Sequence, residues 1–188
     1  MATEKWISAD HPALQYMGRI DWDDPKNPVW VYACTCVRVK FTGSFVRAEI
    51  TNFRNCWDNF LGVILDGVQT KIKLAESGRQ VYTLGENLSS GVHELLLFKR
   101  QDACHYLQLH GLYLQENAVL SAPDPLPERR LEVYGDSVSA GEVSEAVDYC
   151  GQADPPHNGE YSNSYYSYSW FAARMLSAQL HDIAQGGI

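Results

Sequence analysis

Between residues 30 and 115 apolar and polar positions alternate in short runs. Val37, Val39 and Phe41 alternate with Arg38 and Lys40, and Val46, Ala48 and Ile50 alternate with Arg47 and Glu49. A period of two puts successive side chains on opposite faces of an extended chain, so each run reads as a strand with one buried face. Asn59 to Leu65 is a nearly continuous apolar run, and the Asp66-Gly67 pair after it is a hairpin signal. Further strands are predicted over 68–74, 80–84, 92–98 and 106–114, with Gly43, Gly78, Gly85 and Gly91 as punctuation. Short strands separated by turn residues predict an antiparallel β-sandwich of jelly-roll type over residues 1–120.

The pattern changes after Leu120. Pro123, Pro125 and Pro127 recur within a few residues, which makes 121–130 a stiff, extended linker. Leu131 to Tyr134 reads as a short strand running into a glycine-rich turn, and 142–163 as a polar loop containing Pro155 and Pro156. Asn163 or Ser164 can cap a helix, and Tyr165, Tyr168, Ala172, Met175 and Leu176 follow at helical spacing. A second strand is predicted over 181–184, ended by Gly186-Gly187. Strand, turn, helix, strand is the beginning of a parallel α/β domain, placed at 131–188.

Composition narrows the function. The 188 residues are 45% hydrophobic, enough for a packed core, and the formal net charge of −8 repels a phosphate backbone, so nucleic acid is not an expected partner. No run of eighteen apolar residues is present, so no membrane partner is expected. The first residues lack a basic start followed by an apolar stretch, which points to the cytoplasm, or to secretion if a signal peptide has been removed. The five cysteines fit free thiols. Cys34 and Cys36 share a strand face and are expected to be buried together. With no second Cys or His pair at ligand spacing, no metal is expected.

The informative segment is Gly135-Asp136-Ser137-Val138-Ser139-Ala140-Gly141. A serine on a sharp strand-to-helix turn projects its hydroxyl above the sheet, and its own N–H can face a developing oxyanion. Gly135 and Gly141 suit close backbone approach.

Gly-Asp-Ser with a Gly four residues after the Ser resembles the first motif block of the SGNH (GDSL-like) hydrolases. The resemblance implies that Ser137 is the nucleophile and a donor to the oxyanion hole, and that Asp136 orders the turn. The second block of that family is a Gly after the second strand whose N–H also faces the oxyanion. Ala184-Gln185-Gly186-Gly187 stands there, with Gly187 the better match and Gly186 the alternative. Gly18-Arg19-Ile20-Asp21 with Asp24-Pro25 is similar to the opening of carbohydrate esterase family 2, in which a jelly roll precedes an SGNH domain. That resemblance covers most of the chain. It implies an acetyl esterase acting on acetylated plant saccharides of the xylan and mannan type, without a cofactor. It also implies an Asn oxyanion donor and a His general base downstream of Ile188.

Two Asp-x-x-His patterns lie within the chain. Asp102-Ala103-Cys104-His105 falls between two sandwich strands and reads as a turn. Asp154-Pro155-Pro156-His157 lies in the loop after Ser137, and His157 reads as a substrate contact rather than the base. Tyr161, in the same loop, is the other candidate, because the C–H face of a pyranose packs on a flat ring. A carbohydrate-binding sandwich with a non-catalytic hydrolase remnant, and an SGNH esterase acting on lipid or simple esters, are the competing readings.

Overall fold

The computed structural model describes residues 3–187. In chain order its strands begin with β1 (Glu4–Ser8), β2 (Gln15–Met17), β3 (Ile20–Asp21), β4 (Val29–Trp30) and β5 (Cys36–Thr42). They continue with β6 (Val46–Phe53), β7 (Phe60–Leu65), β8 (Val68–Lys73), β9 (Ser77–Gly85), β10 (Val92–Lys99), β11 (Tyr106–Gln115) and β12 (Leu120–Ser121). After these come β13 (Arg129–Gly135), helix α1 (Ser137–Ala140), helix α2 (Tyr168–Met175) and β14 (Ala178–Ala184).

Strands β1 to β12 form two antiparallel sheets. One runs β3-β4-β11-β6-β9 with β1 beside β11, and the other β12-β5-β10-β7-β8 with β2 beside β5. From β5 to β12 the chain passes from sheet to sheet, except at the β7–β8 hairpin, giving the jelly-roll sandwich. Asp66 and Gly67 in that hairpin both have positive φ (51° and 81°), as a turn matching strand twist requires. Between the sheets lies the main core, built on Trp30, Phe41, Ile50, Leu61, Leu97, Leu109 and their neighbours. The alternation read from the sequence survives in detail, since β6 is alternately buried and half-buried along its length.

A third sheet consists of β13 and β14 in parallel, Leu131 opposite Leu180 and Gly135 opposite Ala184. It is not packed independently. Phe98 and Cys36, on the outer face of the β5–β10 sheet, join Cys34, Ala140, Trp170, Ala173, Leu180 and Ala184 in a second apolar cluster. Phe98 meets Trp170 edge-on at 5.4 Å and covers Gly62, where a Cβ would overlap its ring. The proline-rich stretch therefore connects two parts that share a core. Cys34 and Cys36 are both fully buried there.

The helix differs from expectation. Asn163 caps a short 3-10 turn, with Tyr165 N–H donating to its side chain, and α2 starts later with Ser167 as its cap. The buried face is Ser169, Trp170 and Ala173, whereas Tyr168, Met175 and Leu176 are exposed. Several apolar sets on one short helix share a 3.6-residue period. The indole, large and facing Phe98, takes the core side.

Candidate active site

The chain leaves β13 at Gly135. Asp136 is extended (φ −108°, ψ −155°) and its carboxylate accepts Val138 N–H at 3.0 Å, so it caps the single turn that Ser137 opens. Gly141 closes that turn at φ 76°. Both glycines are required by space. A Cβ on Gly135 would overlap the Ser139 hydroxyl, and one on Gly141 would lie 2.7 Å from the Asn163 carbonyl oxygen. Ser139 is buried and shares a hydrogen bond with the Tyr168 hydroxyl at 2.7 Å, while Ser137 remains half-exposed.

Just beyond β14, Gln185 N–H donates to the Gly135 carbonyl at 3.1 Å, which carries the next residue against the Ser137 turn. A Cβ on Gly186 would sit 3.6 Å from Ser137 Cβ. The Gly186 N–H is already engaged, donating to Asp102 Oδ2 at 2.6 Å. Gly187 is exposed, with φ 78° and nothing within 4 Å of a Cβ position. The Asp102-x-x-His105 pattern thus divides. His105 stays inside the sandwich, but Asp102 reaches the neighbourhood of Ser137, which sequence reading missed. Its only signal was a charged residue at the end of a strand whose outer face is apolar.

That strand end is the hub of the junction. The buried Lys99 ammonium donates to the Gln101 carbonyl at 2.6 Å and to the Asp102 carbonyl. Burial pulls Lys99 down to about 8. The Arg100 guanidinium, also buried, pairs with Glu145 at 2.7 Å. Ser164 N–H and Oγ donate to the Arg100 and Lys99 carbonyls, both within 2.9 Å. Burial alone would raise the Asp102 carboxyl. Hydrogen bonds from Cys104 and Gly186, with the Lys99 charge, hold it below its ordinary value.

Ser137 opens onto a cleft of about 370 Å³ lined also by Gly141, Glu142, Asp154, His157, Tyr166 and Tyr168, among others. The lining has no Leu or Phe. His157 Nδ1 lies 3.3 Å from Glu142 Oε1, and its ring packs on Trp57 at 5.3 Å, so a sandwich loop supports one wall. Burial raises the Glu142 carboxyl, the His157 charge opposes that, and the Asp102 charge adds to it. Tyr161 is not among the lining residues. It faces Tyr149 at 5.8 Å, with the Lys71 ammonium over its ring at 5.9 Å.

Beneath the Ser137 turn is a buried polar network. Asp182 Oδ2, on β14, lies 3.3 Å from Cys34 Sγ and 3.0 Å from Ser169 Oγ. Ser169 Oγ is also 2.7 Å from the Ser139 carbonyl. Asp182 Oδ1 is buried without a partner, and burial pushes this carboxyl up to about 6. A separate group, Cys56, Cys104 and His105, brings three potential metal-ligand atoms within 4.8 Å of one another across two loops, which linear spacing could not reveal. His105 Nδ1 already accepts Asn55 N–H at 3.1 Å, so coordination through that atom would displace an existing bond.

Comparison with known proteins matches this architecture. The family described as Carbohydrate esterase 2 N-terminal matches residues 16–123. The "Cellulase/esterase CelE" of Acetivibrio thermocellus is 32% identical over 180 residues, 95% of this chain and 21% of that protein. The "Acetylxylan esterase / glucomannan deacetylase" of Cellvibrio japonicus is 30% identical over 190 residues, 100% of this chain and 50% of that protein. A solved family two carbohydrate esterase from Cellvibrio japonicus superposes with a TM-score of 0.86 at 29% identity, covering 100% of this chain and 54% of that one. The chain therefore spans half or less of the curated relatives it matches. With more than half of its residues matched by the family model and the sandwich in place, the chain belongs to carbohydrate esterase family 2.

Proposed function

We propose that this chain carries the nucleophile of a serine esterase that removes O-acetyl groups from acetylated plant poly- or oligosaccharides of the xylan and mannan type. The observation that carries the reading is Ser137 at the first position of a capped turn, half-exposed over a cleft that combines Tyr, His and carboxylates with two valines, with the Gly186 backbone against it. In the reaction Ser137 Oγ bonds to the acetyl carbonyl carbon as its proton passes to a general base. The N–H groups of Ser137 and Gly187 stabilise the oxyanion. Ser137 opens α1, where the helix offers its N–H no internal acceptor. Gly187 is the better second donor, since the Gly186 N–H is held by Asp102. The sugar C–O bond to the acyl carbon then breaks, its oxygen takes the proton from the base, and water repeats the sequence to release acetate.

The family resemblance puts the general base downstream of Ile188, along with an Asn donor. His157, paired with Glu142 in the cleft wall, serves as a substrate contact. Trp57 behind it extends the wall with a partly exposed ring suited to a pyranose face. A cleft lined by Tyr, His and carboxylates, without Leu or Phe, favours a saccharide ester over a lipid ester. The test is Ser137→Ala in the full-length protein, followed by acetate release from acetylated xylo- and manno-oligosaccharides. Turnover should fall by roughly three orders of magnitude or more with saccharide binding retained. Full turnover by the variant would remove the esterase reading. Saccharide binding by a parent without turnover would favour the binding-module reading.

A further inference from the structure

We propose that Asp102 is a positioning residue of this site: its carboxylate, delivered from the β-sandwich, holds the Gly186 N–H and thereby fixes the following N–H of Gly187 toward the oxyanion. The inference rests on the esterase reading and extends it to the sandwich.

Among the described residues, two backbone amides anchor the segment after β14. Gln185 N–H is the last amide bonded to the sheet, through the Gly135 carbonyl, and Gly187 is exposed. Between them, Gly186 N–H donates to Asp102 Oδ2 at 2.6 Å, and Gln185 Nε2 approaches the same oxygen at 3.4 Å. Side-chain space enforces the contact, since a Cβ on Gly186 would lie 2.7 Å from Asp102 Oδ2. The carboxylate is itself held from both sides. Oδ1 accepts Cys104 N–H at 3.1 Å, and the Asp102 carbonyl accepts the buried Lys99 ammonium. A donor supported in this way needs no reorganisation when charge develops on the substrate.

The residue type also follows. Both carboxylate oxygens accept from backbone amides, Gly186 on one and Cys104 on the other. An Asn has one accepting oxygen and an NH₂ group that would confront the second amide. It can keep the Gly186 bond at the expense of the Cys104 bond, whereas Ala keeps neither.

The experiment compares parent, Asp102→Asn and Asp102→Ala as full-length proteins. It reads kcat and KM on an acetylated xylo-oligosaccharide, amide exchange of the peptide covering 184–187, and the thermal midpoint. Asp102→Ala should lose roughly 100-fold in kcat, the scale for a displaced oxyanion donor, with KM changed less than about three-fold. Exchange in 184–187 should accelerate about ten-fold or more while β5 and β10 keep their protection. Asp102→Asn should recover kcat to within roughly ten-fold of the parent. Parental kcat in Asp102→Ala, or exchange rising equally throughout the sandwich, would overturn the proposal and leave Asp102 a structural residue. A parent inert on acetyl esters would instead sink the esterase reading and the catalytic consequence with it. The exchange data alone would then decide whether Asp102 holds the loop.

Discussion

Replacing Asp182 with Asn tests how the buried network beneath Ser137 is protonated. Ser169 has one hydroxyl proton but two acceptors in range, the Ser139 carbonyl at 2.7 Å and Asp182 Oδ2 at 3.0 Å. Both contacts are satisfied together if Asp182 is protonated and donates to Ser169, which then donates to Ser139. Burial favours the same state, pushing the carboxyl from 3.8 up to about 6. The sign follows from proton counting. Between pH 4 and 6 the unfolded chain binds fewer protons at this site than the folded one, so unfolding free energy falls as pH rises through that window. Above it the loss is complete, and a shift of this size corresponds to at most about 3 kcal/mol. The Asn side chain can turn its NH₂ toward Ser169, donating as the protonated acid does, and it cannot ionise. Any cost of losing the acceptor that faces Cys34 is independent of pH. Urea unfolding of parent and variant, followed through the buried Trp170, isolates the effect as a difference. The variant should gain on the parent steadily from pH 4 to about 6.5 and then hold its advantage. A constant difference across the range, or a parent that gains on the variant as pH rises, would refute the buried neutral carboxyl.

On the proposed reading, in which the ring contacts substrate and another His acts as base, His157→Ala should lower kcat of the full-length protein less than about ten-fold while raising KM; a loss as large as that of Ser137→Ala would make His157 the base. Trp57→Ala should weaken oligosaccharide binding while leaving turnover of a small aryl acetate unchanged, measured by titration and by initial rates; equal losses on both substrates would deny it a saccharide-specific role. Gly141→Ala should destabilise the protein by about 2 kcal/mol or more, since its φ of 76° is strained for Ala and the added carbon meets the Asn163 backbone. An unchanged thermal midpoint would show that this turn adjusts freely.

The sandwich was legible because its signal is local. Each strand from β5 to β11 carries its own alternation or apolar run, and Asp66-Gly67 marks its own turn. Strands β1 to β4 are short and lie among Asp, Pro and Gly, so no period develops. The capped turn at Ser137 was legible for the same reason, with Gly135, Asp136, Ser137 and Gly141 all within seven residues. Asp102 was not, because its partner Gly186 is 84 residues away and the contact exists only after two sheets have met. Its spacing to His105 read only as a turn between two strands. The face of α2 was misread because Tyr168 and Met175 share the helical period that Trp170 and Ala173 follow.

The shared cluster of Phe98, Cys36 and Trp170 bears on how the protein is made. A ribosome releases the sandwich strands first, and the roughly 60 residues from the end of β12 to the end of β14 need about 3–12 s more at ordinary elongation rates. During that interval the outer face around Phe98 is an apolar surface whose covering does not yet exist. The finished sandwich then serves as a template against which β13, α2 and β14 condense. The nascent chain is therefore most vulnerable to association with other chains after its first fold is complete and before the Ser137 turn has a floor.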